Sequence, residues 1–228
     1  MIVTTHQPIF LPWPGLFYKA LRADTVVLLD EVQFPLGRGW MNRNRLKSQH
    51  GELWLTVPVW KKRRGKQLIC DVEICEETDW RRKHLVSLQQ QYAHAPWLAE
   101  HLPAIAAIYE RGHRRLLDLN LAIIRHLAGA LGTKTRFVLQ SELGVFGHGT
   151  GLLVNVCRAL KADTYTTLSP VEKYLDLARF STSGLDVRFA RFSPPVYPQL
   201  WGEFRYNVAA LDLLLNCGPM APEILARC

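Results

Sequence analysis

The apolar and polar positions at the start of the chain predict a strand, a loop, a helix and a second strand. Residues 1–5 form a short β-branched run, and the prolines that follow break it into a loop. Residues 16–23 have helical spacing without a breaker, and residues 25–29 are a continuous apolar run of strand length. Because buried parallel strands have this composition, we predict a βαβ unit here.

A hairpin and a group of helices are predicted in the middle of the chain. Residues 40–47 and 52–59 have the pattern of two strands joined by a turn, and another strand is expected near 68–74. Helical segments follow at 79–92, 97–111 and 114–131. Strands and helices then alternate again, with strands expected at 135–140, 164–168 and 185–192 and helices at 149–160 and 207–215.

This order of elements indicates the α/β class. We expect a Rossmann-like parallel sheet with a small β-hairpin and a helical insertion at about 79–131, all within a single domain over residues 1–228.

Composition adds a local excess of positive charge to this picture. The 228 residues include 28 Lys and Arg against 20 Asp and Glu, for a formal net charge of +8. Residues 38–66 contain nine basic residues and a single acidic one. Such a field attracts phosphates, carboxylates or RNA, and the alternative is a solvated surface that keeps the protein soluble.

Several classes of protein are disfavoured by the sequence. No apolar run is long enough to cross a bilayer and no export signal opens the chain, so we expect a cytoplasmic protein without a membrane partner. The five cysteines are then expected as free thiols. No metal-ligand spacing and no phosphate-loop motif is present, and the sequence identifies no cofactor.

The loop at residues 6–15 is the first candidate site, because ligands bind beyond the carboxyl ends of strands in open α/β sheets. His6 can transfer protons near neutral pH, and the amide of Gln7 can fix a ligand. Trp13 is expected to form a wall of the pocket. The alternative is a loop made rigid by proline whose aromatic residues plug the end of the sheet.

The same loop is similar in register to the first motif of nucleotidylyltransferases, T-x-D-P-x-H-x-G-H. Thr5 and Pro8 match the motif, whereas Phe10 and Trp13 occupy the positions of its two histidines. The match implies a nucleotidylyltransferase-like α/β plan without the histidines that handle phosphates in that family.

The segment after the second predicted strand is the next candidate. Asp30 would lie beside the first loop, where it could orient His6, bind an amine or act as a base, and Gln33 follows it. A helix cap or a surface carboxylate paired with Arg is the alternative.

The strand at 40–47 offers two different faces. Asn42 and Asn44 would share one face, on which they could read sugar or amide groups beside Trp40. Arg43, Arg45 and Lys47 would share the other face and could hold a phosphate or a carboxylate. The alternative is an exposed strand with protective edge charges.

Two later segments complete the candidates. Ser141 and Glu142 follow a predicted strand directly and could form an anion site, or an ordinary strand-to-helix loop. Tyr197 and Gln199 lie in a proline-confined arm and could border a ligand. Asp212 and Asn216, four residues apart on a predicted helix, are interpreted as structural.

Blocks of sequence spread along the chain also carry a family resemblance. They read HQPIFLPWPG, LLDEVQF, WMNRNRLK, LTVPV, YAHAPW, LGTKT with SEL, KADTY, and YPQLWGEF running into ALDLLLNCG. Through these blocks the chain resembles the WbqC-like protein family. The resemblance implies a cytoplasmic protein of polysaccharide or other biosynthesis that forms amides by acyl or aminoacyl transfer to amino sugars or similar amines. SPVE at residues 169–172 departs from the glycine-rich turn expected there.

Three functions follow from these features. The first is a biosynthetic transferase acting on a small-molecule substrate that is anionic or sugar-linked, with His6 and Asp30 as its catalytic pair. The second is an RNA-binding or tRNA-dependent protein, which the basic run and its interleaved tryptophans favour. The third is a nucleotide-binding protein with a degenerate nucleotidylyltransferase site. The oligomeric state is left open.

Overall fold

A computed structural model describes residues 1–35, 37 and 39–228 of the chain. Arg38, which begins the basic run, lies outside the described residues. Within the described part, a five-stranded parallel sheet and a separate two-stranded antiparallel hairpin are combined with helices. The predicted α/β class is therefore confirmed, together with its Rossmann-like sheet, its hairpin and its helical insertion.

The strands follow the β-branched and apolar runs of the sequence. In chain order they are β1 (Ile2–His6), β2 (Thr25–Leu28), β3 (Arg43–Ser48), β4 (Gly51–Thr56), β5 (Arg136–Leu139), β6 (Thr164–Leu168) and β7 (Asp186–Ala190). The parallel sheet has the order β5-β2-β1-β6-β7, and β3 pairs with β4 in the hairpin. Strand β1 is therefore the central strand, with β2 beside it on one side and β6 on the other.

The helices surround this sheet. They are α1 (Pro14–Ala20), α2 (Trp80–Gln91), α3 (Leu98–Glu110), α4 (Leu116–Ala130), α5 (Gln140–Leu143), α6 (Gly149–Ala159), α7 (Leu177–Ser181), α8 (Ala210–Cys217) and α9 (Ala221–Ala226). Short 3-10 helices occur at Ile69–Asp71, Ser169–Tyr174 and Gly218–Met220. Among the described residues, no helix combines the length and the apolar character that crossing a membrane requires.

Alternate residues of the central strands enter two hydrophobic clusters on opposite faces of the sheet. Val26 and Leu28 join a large cluster that also includes residues of α1, the hairpin and helices α2 to α4. Val3 and Val27 join a smaller cluster with residues of α6 and α7. Because both faces are covered, the functional groups of the sheet are accessible only at its edges and strand ends.

The prediction of a strand near 68–74 is wrong. The chain forms the 3-10 helix Ile69–Asp71 there, because two of its amides donate to the segment that follows β2. The N–H of Ile69 donates to the carbonyl of Val32 at 3.0 Å, and the N–H of Cys70 donates to the carbonyl of Asp30 at 2.9 Å. The short helices α5 and α9 were not predicted, since four to six residues carry too little periodicity to be recognised.

Candidate functional site

A cleft of about 760 Å³ lies at the carboxyl ends of β1 and β6, between the loop after β1, helix α1 and the hairpin. This is the edge of the sheet at which open α/β proteins bind ligands. Six of the predicted site residues line the cleft: His6, Gln7, Trp13, Trp40, Asn44 and Arg45.

His6 ends β1 at the cleft wall, and its ring has a defined tautomer. Nδ1 lies 2.7 Å from the carbonyl oxygen of Gln7, which can only accept, so Nδ1 carries the proton. Burial and, to a smaller extent, the nearby charge of Lys19 lower the pKa of His6 to about 3, and the hydrogen bond to the Gln7 carbonyl opposes both effects. At neutral pH the ring is therefore uncharged, and Nε2 has a lone pair that can accept a proton.

Lys19 is a cleft residue that the sequence reasoning missed. Its ammonium group donates to the carbonyl of Thr5 at 2.6 Å, and its side chain is 6% exposed. Burial lowers the pKa of Lys19 to about 7. The sequence offers one signal, because Lys19 is the single charged residue of helix α1, and the structure buries this helix on every side.

The loop after β1 is held in an unusual conformation. Leu11 has φ of 43°, in the left-handed region, which is costly for a residue with a branched side chain. The amide of Asn44 donates to the carbonyl of Leu11 at 2.7 Å and to that of Phe10 at 3.3 Å. Asn120 of α4 donates to the carbonyls of Pro8 at 2.7 Å and Met41 at 2.9 Å. The Asn44 amide, expected to read a substrate, is thus occupied by the loop.

Trp13 forms the other end of this loop, and Gly15 makes room for it. A Cβ atom on Gly15 would lie 2.3 Å from the indole ring of Trp13, so any larger residue would displace the ring. Phe192 packs edge-on against Trp13 with ring centroids 5.2 Å apart. The indole is consequently fixed as a wall of the cleft.

The hairpin and the residues directly before it contribute a stack of aromatic and cationic groups at the cleft rim. The rings of Trp40 and Trp54 are stacked with centroids 5.6 Å apart, and both are more than a third exposed. The guanidinium of Arg43 lies 4.1 Å from the ring centroid of Trp54. Arg45 lies 5.9 Å from that of Trp40 and pairs with Glu52 at 2.6 Å. Asn42 instead donates to the carbonyl of Val57 within the hairpin.

Asp30 connects two strand ends below the surface. Its carboxylate accepts hydrogen bonds from the N–H of Ser141 at 3.0 Å and from the Ser141 hydroxyl at 2.6 Å, and the residue is 1% exposed. Glu142 accepts a hydrogen bond from the Leu139 N–H at the start of the same helix. The structure brings Asp30 to Ser141 rather than to His6, whose Nδ1 is bonded to its own loop. Gln33 is exposed and lies outside the cleft wall.

The remaining predicted site residues, Lys47, Tyr197 and Gln199, lie in a second polar cluster around the fully buried Asp212. Tyr197 donates to its carboxylate at 2.8 Å and Gln199 at 2.9 Å, and Tyr92 donates to it as well. Burial raises the pKa of Asp212, and these hydrogen bonds oppose that effect. Lys47 lies nearby and donates to a backbone carbonyl at 3.4 Å. Tyr197, Gln199 and Lys47 thus hold the C-terminal arm against α8 and the hairpin.

No metal cluster is formed in the part of the chain that the structure describes, where three or more His, Cys, Asp or Glu side chains never group closely enough to hold an ion.

Comparisons with known proteins place these features in a family context. A model described as the WbqC-like protein family matches residues 7–224. The uncharacterized protein Rv1507c of Mycobacterium tuberculosis is 33% identical over 228 residues, which cover 99% of this chain and 98% of that protein. No solved structure matches the chain.

Proposed function

The chain belongs to the WbqC-like protein family, and from that premise we propose that it is a biosynthetic transferase. It would transfer an acyl or aminoacyl group to the amine of an amino sugar or a similar metabolite, in the cleft beside His6. The observation that carries this proposal is an uncharged histidine, with Nδ1 committed to the Gln7 carbonyl and Nε2 left as a base, in the wall of a large cleft.

Amide formation requires a base that takes a proton from the attacking amine. When the amine nitrogen attacks the acyl carbon, a C–N bond forms and the bond from that carbon to the thiol sulfur or hydroxyl oxygen of the donor breaks. The nitrogen loses its extra proton to the base, and the leaving thiol or hydroxyl takes that proton up. Nε2 of His6 carries no proton at neutral pH and would accept that one; the low pKa makes the ring a weak base in the free protein, and an anionic substrate group beside it would raise the pKa. Gln7 would orient the acceptor through its amide, and Trp13 would bound it.

The volume and lining of the cleft agree with a substrate larger than a simple amine. Small-molecule sites typically enclose about 300–1,000 Å³, and this cleft has about 760 Å³. Aromatic walls from Trp13 and Trp40 favour sugar rings and bases, and the presence of Lys19 without any Asp or Glu among the described lining residues favours an anionic group. A sugar-linked or anionic substrate is therefore the one that the lining favours.

The experiment is a product screen. Purified protein is incubated with acetyl-coenzyme A or with aminoacyl-tRNA as donor and with nucleotide-linked amino sugars as acceptors, and amides are detected by mass spectrometry. We expect His6→Gln to lower turnover roughly 10²- to 10⁴-fold, as for loss of a general base. His50→Gln, a change at an exposed histidine of the hairpin turn, is the matched control. Full turnover by His6→Gln would exclude His6 as the base.

A second candidate function rests on the hairpin. The exposed stack of Trp40 and Trp54, with Arg43 over one ring, has the composition of surfaces on which nucleic-acid bases stack. An RNA-binding or tRNA-dependent protein would use this surface, and a nucleotide-binding protein would place a base there.

Two titrations separate these alternatives. If the hairpin binds RNA, tRNA should bind with an affinity that falls steeply with salt, and Trp54→Ala should weaken it while Tyr174→Ala, at another exposed aromatic residue, should not. Fluorescence anisotropy measures this. Calorimetry with ATP, CTP and nucleotide sugars tests the nucleotide alternative, and the absence of tRNA binding at low salt would exclude the RNA alternative.

A further inference from the structure

The floor of the cleft is made of buried polar groups that donate hydrogen bonds and carry positive charge. Lys19 is 6% exposed, and Thr5, Tyr165 and Thr167 are 7%, 2% and 3% exposed. The hydroxyl groups of Thr5 and Tyr165 are hydrogen-bonded to each other at 2.8 Å. Among the described residues that line the cleft, none is Asp or Glu. An anionic ligand would therefore meet no carboxylate in this part of the wall.

Lys19 is left incompletely bonded on this floor. Its ammonium group has three N–H bonds, of which one is directed to the Thr5 carbonyl at 2.6 Å. Within residues 1–35, 37 and 39–228 it forms no ion pair, whereas Arg45 at the rim is paired with Glu52. Burial of a lysine whose amine has unused N–H groups is unfavourable for folding, and with a pKa of about 7 the amine is partly protonated at neutral pH, so its presence on the cleft floor points to a ligand.

We propose that the ammonium group of Lys19 binds an oxyanion of the substrate, a carboxylate or phosphate oxygen, at the floor of the cleft. The inference rests on the proposed function for the identity of the cleft as the substrate site, and it adds the substrate class. A bound oxyanion would accept from the N–H groups that Thr5 does not use. It would also supply the negative charge that the surrounding lining lacks.

The position of Lys19 fits this role in the transfer reaction. Lys19 is bonded to the carbonyl of Thr5, and His6 follows Thr5 in β1. The base and the ammonium group therefore lie at the same strand end and both line the cleft. An anionic group held by Lys19 would place the rest of the substrate within reach of His6. The charge of Lys19 lowers the pKa of His6, so an oxyanion that neutralises this charge would raise that pKa and make Nε2 a stronger base.

The test measures anion binding directly, without donor or acceptor. Calorimetry is carried out on the wild type with inorganic phosphate, pyrophosphate, acetate and succinate as separate probes. The variants are Lys19→Met, which keeps an unbranched side chain one atom shorter, and Lys134→Met, which removes the same charge from an exposed position. A preference for phosphates would indicate a phosphorylated or nucleotide-linked substrate, and a preference for carboxylates would indicate a carboxylic acid.

We expect the wild type to bind at least one probe, and we expect Lys19→Met to weaken that binding roughly 10- to 100-fold, as for loss of a charged hydrogen bond. Lys134→Met should bind as the wild type does. Lys19→Met should also melt at the same or a higher temperature, because it removes a buried charge that lacks a counter-ion. Equal binding by Lys19→Met, or no anion binding by the wild type, would overturn the proposal.

A second measurement uses the wild type alone, in case Lys19→Met does not fold. In protein labelled with ¹³C at lysine Cε, the Lys19 signal should move when the probe is added and the Lys134 signal should stay. A stationary Lys19 signal would refute the inference. Anion binding through Lys19 without amide formation would refute only the proposed transferase function. Amide formation in which Lys19→Met leaves the KM for the anionic substrate unchanged would refute only the anion site.

Discussion

Replacing Asn44 by alanine tests whether this side chain holds the loop after β1. The amide nitrogen donates to the carbonyls of Leu11 and Phe10, and the amide oxygen accepts from the N–H of Arg45 at 2.8 Å. Asn44 is 2% exposed, so water cannot replace these partners without a rearrangement. Leu11, at φ of 43°, would lose the contact that opposes its strain.

The size of the effect follows from the number of contacts. Each hydrogen bond contributes about 0.5–1.5 kcal/mol net, so Asn44→Ala should lower the free energy of unfolding by about 2–4 kcal/mol. A loss of that size lowers the melting temperature of a chain this long by roughly 4–16 °C. Asn42→Ala is the matched control, because Asn42 is buried in the same segment and makes one such contact, to Val57 at 2.8 Å.

Urea denaturation of the two variants gives the comparison, and hydrogen exchange locates it. The N–H of Phe10 donates to the carbonyl of Met41 at 3.1 Å and should lose protection in Asn44→Ala. We expect Asn42→Ala to cost about 1 kcal/mol and to leave that protection in place. If Asn44→Ala were no more destabilising than Asn42→Ala, and Phe10 remained protected, the account of the loop would be refuted.

Three further changes have defined outcomes. Gly15→Ala should cost about 1–3 kcal/mol and shift tryptophan emission, because its Cβ would lie 2.3 Å from the Trp13 ring; unchanged emission would contradict this. Asp30→Asn should cost about 1–3 kcal/mol in urea denaturation, since the charge-assisted bonds from Ser141 are weakened; wild-type stability would contradict the link. The folded pKa of His6, about 3, is below its ordinary value of 6.5, so the unfolded chain takes up the proton first. The contribution of His6 to the free energy of unfolding should be complete above pH 6.5 and should fall as the pH drops toward 3. In urea denaturation measured at a series of pH values, His6→Gln should therefore reduce the dependence of the free energy of unfolding on pH. The same pH dependence in His6→Gln and the wild type would contradict the assigned pKa.

The sequence was sufficient to predict those strands and helices whose local pattern of apolar and polar residues has a single interpretation. The run at 25–29 is apolar on both faces, and it forms β2 inside the sheet. The alternating segment before and after 48–51 forms the hairpin β3–β4. The segment near 68–74 has as much strand character in its sequence as these two. Two of its amides, however, donate to carbonyls of the segment after β2, and this choice of partner depends on tertiary structure.

The candidate site was predicted in position more than in detail. The strand-end rule located the cleft at His6, Gln7 and Trp13, since topology alone determines that edge. The hydrogen-bond partners of polar side chains could not be predicted from the sequence. An asparagine such as Asn44 occupies the same position in the alternating strand pattern whether its amide binds a ligand or a neighbouring loop. Lys19 was missed because a lysine in a short helix is ordinarily solvated, and its burial arises from the packing of α1.

The pairing of β2 with β5 has a consequence for how the chain reaches its native state. Leu28 pairs with Leu139, so the hairpin and helices α2 to α4 lie in the chain between two adjacent strands. Closing so long a loop is entropically slow, and contacts of high sequence separation slow folding. During synthesis β1 and β2 emerge long before β5, β6 and β7, so the cleft at the centre of the sheet is completed only after the last strands leave the ribosome.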